Sequence, residues 1–175
     1  MTLRIVIFVV VIIAAILIFA ATRPDTFHIQ RSRTIIAPQE KVFALINDLH
    51  NWPRWAPQDR EDSSMKRSFS GAAAGVGAVS EWEGRGNSGK GTMTIMESDA
   101  LRKIVIQVDR VRPFRARNMN EFTLGPDGAG TKVTWSMTGP NLFIMKLISV
   151  FTNMDRMMGK HFEDGLENLK SAAER

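Results

Sequence analysis

The sequence predicts an α+β domain, a curved antiparallel sheet covered by one long C-terminal helix, held at a membrane by an N-terminal apolar helix. Three observations carry this reading. Ile5 to Ala21 is an unbroken apolar run between Arg4 and Arg23. From about Met65 to Met137, apolar residues recur with period two between glycine-bearing turns, the pattern of consecutive strands. After Gly139-Pro140 the period becomes that of a helix.

At 1.5 Å per residue the apolar run makes a helix of about 25 Å. Leu3 and Thr22 extend it, and the flanking arginines can snorkel, so it suits a bilayer core. The run has no polar face, which argues against a core helix of a soluble domain. The rival is a cleaved secretory signal, but its basic leader would be short, its apolar stretch long, and a cut after Ala21 would place bulky Phe19 three residues upstream. A retained anchor over residues 3–23 is therefore expected, with one domain over 24–175. Arg23, Arg31 and Arg33 follow the run whereas Arg4 alone precedes it, and the positive-inside tendency points a single-pass domain toward the cytoplasm.

Phe27, Ile29 and Ile35 fall on one parity of the segment from Phe27 to Ile36, which reads as a half-buried strand. Pro38 opens a helix with Val42, Phe43, Leu45, Ile46 and Leu49 on one face. Trp52-Pro53-Arg54-Trp55-Ala56-Pro57 is a tight aromatic corner. Strands are expected at Ala78 to Glu83, Gly91 to Glu97, Lys103 to Val111, Ala116 to Leu124 and Thr131 to Met137, with one more near Met65. Gly84 to Gly91, Ser98-Asp99-Ala100, Arg112-Pro113-Phe114 and Gly125 to Gly130 separate them. The closing helix is expected to run about 30 residues without a break. Ile144, Ile148, Phe151, Met158, Phe162, Leu166 and Leu169 form its stripe, with Met145, Leu147, Met154 and Met157 alongside. Lys146, Asp155, Arg156 and Lys160 exclude it as a second span.

The chain has 23 Lys+Arg and 18 Asp+Glu, net +5; without Arg4 and Arg23 the domain carries 21 against 18, or +3. That excess suits anionic lipid and lacks the dense basic cluster of a nucleic-acid binder, so no nucleic-acid partner is expected. The absence of cysteine excludes disulfides, thiolate metal sites and Cys nucleophiles. His28, His50 and His161 have no metal-ligand spacing, and no metal is expected. Glu81, Glu83, Asp109 and Glu121 are strand carboxylates whose default place is the solvated face, although an inward pair would do acid–base chemistry. Gly84-Arg85-Gly86 and Gly89-Lys90-Gly91 lead into a strand rather than a helix, so they form a hairpin and not a phosphate loop.

Ile36-Ala37-Pro38, Glu40, Val42-Phe43, Ile46, Asp48, Trp52, Trp55 and Pro57, then Gly75-Val76-Gly77-Ala78, Trp82, Gly130-Thr131, Val133 and Trp135, together resemble the helix-grip (START/Bet v 1-like) fold. This is the fold of the START-like, or SRPBCC, superfamily, which includes polyketide cyclase/dehydrase-like and lipid-transfer proteins. The resemblance implies an apolar cavity between sheet and final helix for a lipid, polyketide, sterol or quinone-like molecule. Candidate cavity residues are Trp52, Trp55, Trp82, Met93, Trp135, Met137, Phe151, Met154, Met158 and Phe162. The methionines suit variable apolar ligands; Trp52 and Trp55 would serve as lid, membrane contact or plain packing under their loop, and Phe114 as mouth, membrane contact or turn anchor. The superfamily's enzymes share no catalytic motif to transfer, so no catalytic residue and no cofactor is assigned. The expected partners are the bilayer, through residues 3–23, and a hydrophobic small molecule; the oligomeric state stays open. The leading functional expectation is a membrane-anchored, non-enzymatic binder of a lipid or other hydrophobic molecule. The alternatives are a cyclase/dehydratase-like enzyme and a membrane-tethered protein-interaction or stress-response module.

Overall fold

The computed structural model describes residues 2–57, 62 and 64–175. Helix α1 (Thr2–Ala21) carries the apolar run, and its large side chains between Leu3 and Phe19 are mostly exposed. Strand β1 (Thr26–Ile35) follows directly, then α2 (Gln39–Asn47) and a 3-10 turn over Leu49–Arg54. Six strands come next: β2 (Lys66–Gly71), β3 (Ala78–Glu83), β4 (Lys90–Asp99), β5 (Lys103–Arg112), β6 (Ala116–Asp127) and β7 (Gly130–Pro140). They join β1 in one antiparallel sheet of order β1-β7-β6-β5-β4-β3-β2. Two helices close the chain, α3 (Phe143–Ile148) and α4 (Met154–Ala173).

Period-two patterning decides which face is buried. Ile104, Ile106 and Val108 on β5, Phe122 and Leu124 on β6, and Val133 and Trp135 on β7 all turn inward. A register shift between Ile95 and Glu97 leaves Met96 as an extra, exposed residue, and such a bulge increases local bend and twist. The register also defines the sheet's two ends. Thr26 pairs with Pro140, Arg110 with Ala116, and Lys90 with Arg112. The start of β1, the β3–β4 loop and the β5–β6 turn therefore share one end, next to the exit of α1.

Helix α4 lies along β1 in the same direction and is pinned by charge. Arg31 binds Asp155 at 3.0 Å and Glu163 at 2.8 Å, Arg33 pairs with Glu167, and Glu174 accepts the Ile36 N–H at 2.8 Å. Beneath these pairs Phe162, Leu166 and Leu169 are fully buried. Gly165 makes the close approach feasible, since a Cβ there would sit 2.7 Å from the Trp135 ring and 3.2 Å from Pro57. The Phe162 ring stacks on Trp135 at 4.2 Å and Trp135 on Phe122 at 5.0 Å, while Trp55 meets Trp135 and Phe122 edge-on.

Two expectations are corrected here. The final helix is not continuous: α3 ends at Ile148 and α4 begins at Met154. The Ser149 hydroxyl bonds the Lys146 carbonyl at 2.6 Å, the Thr152 hydroxyl bonds the Ile148 carbonyl at 3.0 Å, and the Asn153 side chain caps the Arg156 N–H at 3.0 Å. These polar side chains offer the backbone partners that end one helix and start the next. Ile144 and Ile148 consequently leave the buried stripe and are exposed. The β6–β7 hairpin is also tighter than expected, because Asp127 pairs with Gly130 and only Gly128 and Ala129 form the turn.

The stacked rings predict the response to mutation. Phe162→Ala should lower the unfolding free energy of the full chain in detergent by about 3–5 kcal/mol, and Gly165→Ala by about 1–3 kcal/mol through overpacking. Denaturant unfolding checks both, and a loss under about 1 kcal/mol for Phe162→Ala would show that the stack contributes little.

Candidate functional site

The inner face of the sheet divides into two halves along the strands. The half away from the α1 exit is filled by aromatic packing. There Trp52 lies 4.7 Å from Trp55 and meets Phe122 edge-on at 6.0 Å. Each indole is satisfied: Trp52 donates to the Ile46 carbonyl at 3.0 Å, Trp55 to the Leu45 carbonyl at 3.0 Å, and Trp135 to Asn120 Oδ1 at 2.9 Å. The corner tryptophans thus pack under their loop rather than forming a lid.

The half nearer α1 is different in chemistry. Its floor is apolar, built from Met93, Val108 and the Trp82 ring, with Phe27 and Met137 half-buried beside it. Gly91 lets the Trp82 ring lie flat on β4, because any Cβ there would collide with the indole. Polar groups interrupt this floor. Val108 pairs with Asn118, Arg110 lies opposite Gly91, and Arg67 lies opposite Trp82. The Arg110 guanidinium sits 5.7 Å over the Trp82 ring, a cation–π distance, and burial pulls its pKa below the ordinary arginine value. Arg67 donates to the buried Ser80 hydroxyl at 3.0 Å. Asn118 Oδ1, lying where a Cβ on Gly139 would fall, is buried with no hydrogen-bond donor among the described residues. An unsatisfied buried acceptor costs about 1–3 kcal/mol, so this one calls for an explanation.

The strand carboxylates face the other way. Asp109 is held below the usual carboxylate range by Arg117 at 2.6 Å, with Gln107 adding a second bond, and Glu83 by Lys90 at 3.2 Å together with Arg112 at 2.7 Å. Glu81 and Glu121 share that outward parity. The histidines stay apart: His28 is exposed, His50 binds Asp48 and stacks on Phe69 at 4.1 Å, and His161 is on α4. Among the described residues no cluster of His, Asp or Glu could hold a metal ion.

A model of the polyketide cyclase / dehydrase and lipid transport family matches residues 26–174. The protein belongs to this family. Several solved structures share its fold at low identity. Protein CV1439 from Chromobacterium violaceum is 16% identical, with 87% of this chain and 99% of that one covered at a TM-score of 0.61. The major latex-like protein 151 from Panax ginseng is 13% identical over 86% and 99%, TM-score 0.64. The di-domain ARO/CYC protein StfQ from the steffimycin biosynthetic pathway is 9% identical, covering 85% of this chain and 51% of that one, TM-score 0.63. No curated protein matches the sequence. The family's helix-grip sheet and helix are the ones seen here.

Against that fold, the expected cavity residues separate. Trp52, Trp55, Trp135 and Phe162 meet in the aromatic half, Trp82 and Met93 lie on the floor near α1, and Met137 and Met158 pack half-buried against the core. Phe151 does not reach the interior: it lies in the turn after α3 and is 73% exposed. Met157 is likewise exposed, and the Met154 side chain lies outside the described residues. Arg67, Ser80, Arg110 and Asn118 escaped the sequence reading, although Ser80, Arg110 and Asn118 sit in phase with buried apolar residues of their strands.

The β3–β4 loop over this floor is fastened by Asp62. Its carboxylate accepts the Ser64 hydroxyl at 2.6 Å and the Arg85 N–H at 2.8 Å, which together hold its pKa at about 2, below the ordinary 3.8. A depressed carboxylate stabilises above its unfolded pKa, and the contribution is lost as pH falls through the folded value. The Arg85 amide resonance should therefore titrate with a midpoint near pH 2 and lose that step in Asp62→Asn. A midpoint at 3.8 or above would show that the carboxylate does not hold the loop.

Proposed function

We propose that the protein is a membrane-anchored, non-enzymatic binder of an apolar small molecule or lipid that carries one hydrogen-bond donor. The observation that carries this reading is the inner face near α1, an apolar floor with one unsatisfied acceptor, Asn118 Oδ1. A ligand hydroxyl or amine reaching that oxygen, which lies on the β7 side of β6, would donate to it, and Arg110, directed the other way over Trp82, would meet a separate polar atom. The body of the ligand would lie on Met93, Val108 and Trp82. Family membership supports the reading, since the family's own description includes lipid transport. Helix α1 supports the membrane part, being long and apolar enough over Leu3–Ala21 to cross a bilayer. The cyclase-like alternative needs an inward acid or base, and the four strand carboxylates considered for it all face outward.

The test begins with native mass spectrometry and organic extraction of the full chain taken from membranes. A reproducible apolar adduct is expected, and repeated preparations without one would overturn the binding role. Asn118→Leu sharpens the result. Removing an unsatisfied acceptor should raise the stability of the ligand-free protein by about 1 kcal/mol, while ligand retention falls about tenfold. A loss of both stability and retention would mean that Asn118 is structural. Sequencing of the mature N-terminus checks the anchor: a chain beginning near Thr22 would refute retention.

A further inference from the structure

We propose that α3 and the turn after it form a second membrane-contact element, pressed into the bilayer interface beside α1. This rests on the reading of α1 as a membrane anchor and goes beyond it. Phe143, Ile144, Ile148 and Phe151 are 51%, 42%, 38% and 73% exposed, a concentration of large apolar side chains on one short segment. Isolated exposed hydrophobics are ordinary, whereas a contiguous group marks a contact surface.

The position of this group names its occupant. Helix α3 packs against α1, and Ala20 near the end of α1 is fully buried. The exit of α1 is then tied to α3 and the segment just before it through three bonds. Asn141 donates its side-chain amide to the Pro24 carbonyl at 3.0 Å and its N–H to the Asp25 carbonyl at 2.7 Å. Lys146, only 6% exposed, reaches the Asp25 carboxylate at 2.6 Å. The domain therefore does not swing freely on a linker; α3 is held at the depth where α1 leaves the hydrocarbon. An apolar surface fixed at that level faces acyl chains and headgroups.

Charge and sheet register agree with that placement. Arg23, two residues beyond the apolar helix, stands across an open cleft of about 440 Å³ from the 149–153 turn. Arg156 on the first turn of α4 is exposed. The β5–β6 turn, at the same end of the sheet, offers exposed Phe114 next to exposed Arg115. Aromatic residues interleaved with arginines are the composition of a surface that inserts shallowly and meets anionic headgroups.

The absence of cysteine allows a direct test with single-cysteine variants of the full chain. Val10→Cys, Ile148→Cys, Phe151→Cys and Val76→Cys would each carry a bimane fluorophore in vesicles of phosphatidylcholine and phosphatidylglycerol, with and without acyl-chain bromine. Val76, 59% exposed at the opposite end of the sheet, is the water-facing control. Bromine should quench the labels at 10, 148 and 151 by about twofold or more and leave 76 unchanged, as for residues buried at the interface. Quenching at 10 without quenching at 148 and 151 would overturn the contact element while leaving the anchor intact. No quenching at 10 would overturn both. Concentration-dependent excimers from pyrene at 151, in place of bromine quenching, would assign the patch to a second copy of the chain and overturn the proposal.

Discussion

Two indole N–H groups hold the architecture together. Helix α2 ends at Asn47, and its last carbonyls have no intrahelical partners of their own. The Asp48 N–H reaches the Ala44 carbonyl, the Trp55 and Trp52 indoles take Leu45 and Ile46, and the Gly75 N–H takes Asn47. The same two rings then form one wall of the aromatic packing with Phe122, Trp135 and Phe162. Polar satisfaction and apolar burial therefore fall on the same side chains. Losing either indole would orphan a buried carbonyl, at about 1–3 kcal/mol, and also open a cavity between sheet and helix. This is why the corner after α2 is proline-bound: Pro53 and Pro57 shorten the menu of loop conformations while the rings turn back under the helix.

The stack also explains why the interior is unequal. Aromatic rings fill the half around Trp135, and the polar side chains of the inner face lie toward the α1 exit. There methionine, valine and a flat indole replace interlocked rings, and arginine and asparagine enter the inner face. The chain's connection to α1 lies at that same end, because β1 starts there and β7 returns there. Sheet topology thus puts the polar part of the inner face at the same strand ends as the α1 exit.

Much of this was legible in the sequence, for definite reasons. Strand parity depends on local alternation, so β3, β5 and β6 could be read from residues such as Ile104, Ile106 and Val108. The tryptophan corner and Gly130-Thr131 pointed to the helix-grip order. The break at 149–153 was readable only in part: Asn153 followed by Asp155 is a helix start, but the apolar stripe through Phe151 masked it. Parity also carries a polar signal. Arg110 and Asn118 occupy positions in phase with buried Val108 and Phe122, and polar residues there are the ones a site would use. What no alternation could reveal is that Asn118 Oδ1 lacks a donor, because that depends on where Gly139 lets its amide lie.

If the proposed ligand is drawn from a bilayer, its nature follows from what the domain can offer that lipid cannot. Transfer of an apolar body from water is worth roughly 25 cal/mol per Å². Between acyl chains and a floor of Met93, Val108 and Trp82 that gain nearly vanishes, since lipid tails are as apolar as the side chains. Preference for the protein must then come from groups the hydrocarbon lacks. Asn118 Oδ1 has no donor among the described residues, so a ligand donor reaching it would relieve a cost rather than trade one bond for another. The Arg110 guanidinium over Trp82 adds a charged donor in a partly desolvated setting. On the proposed reading a purely apolar molecule would partition without selection, whereas one with a single hydroxyl would be retained with that group at Asn118.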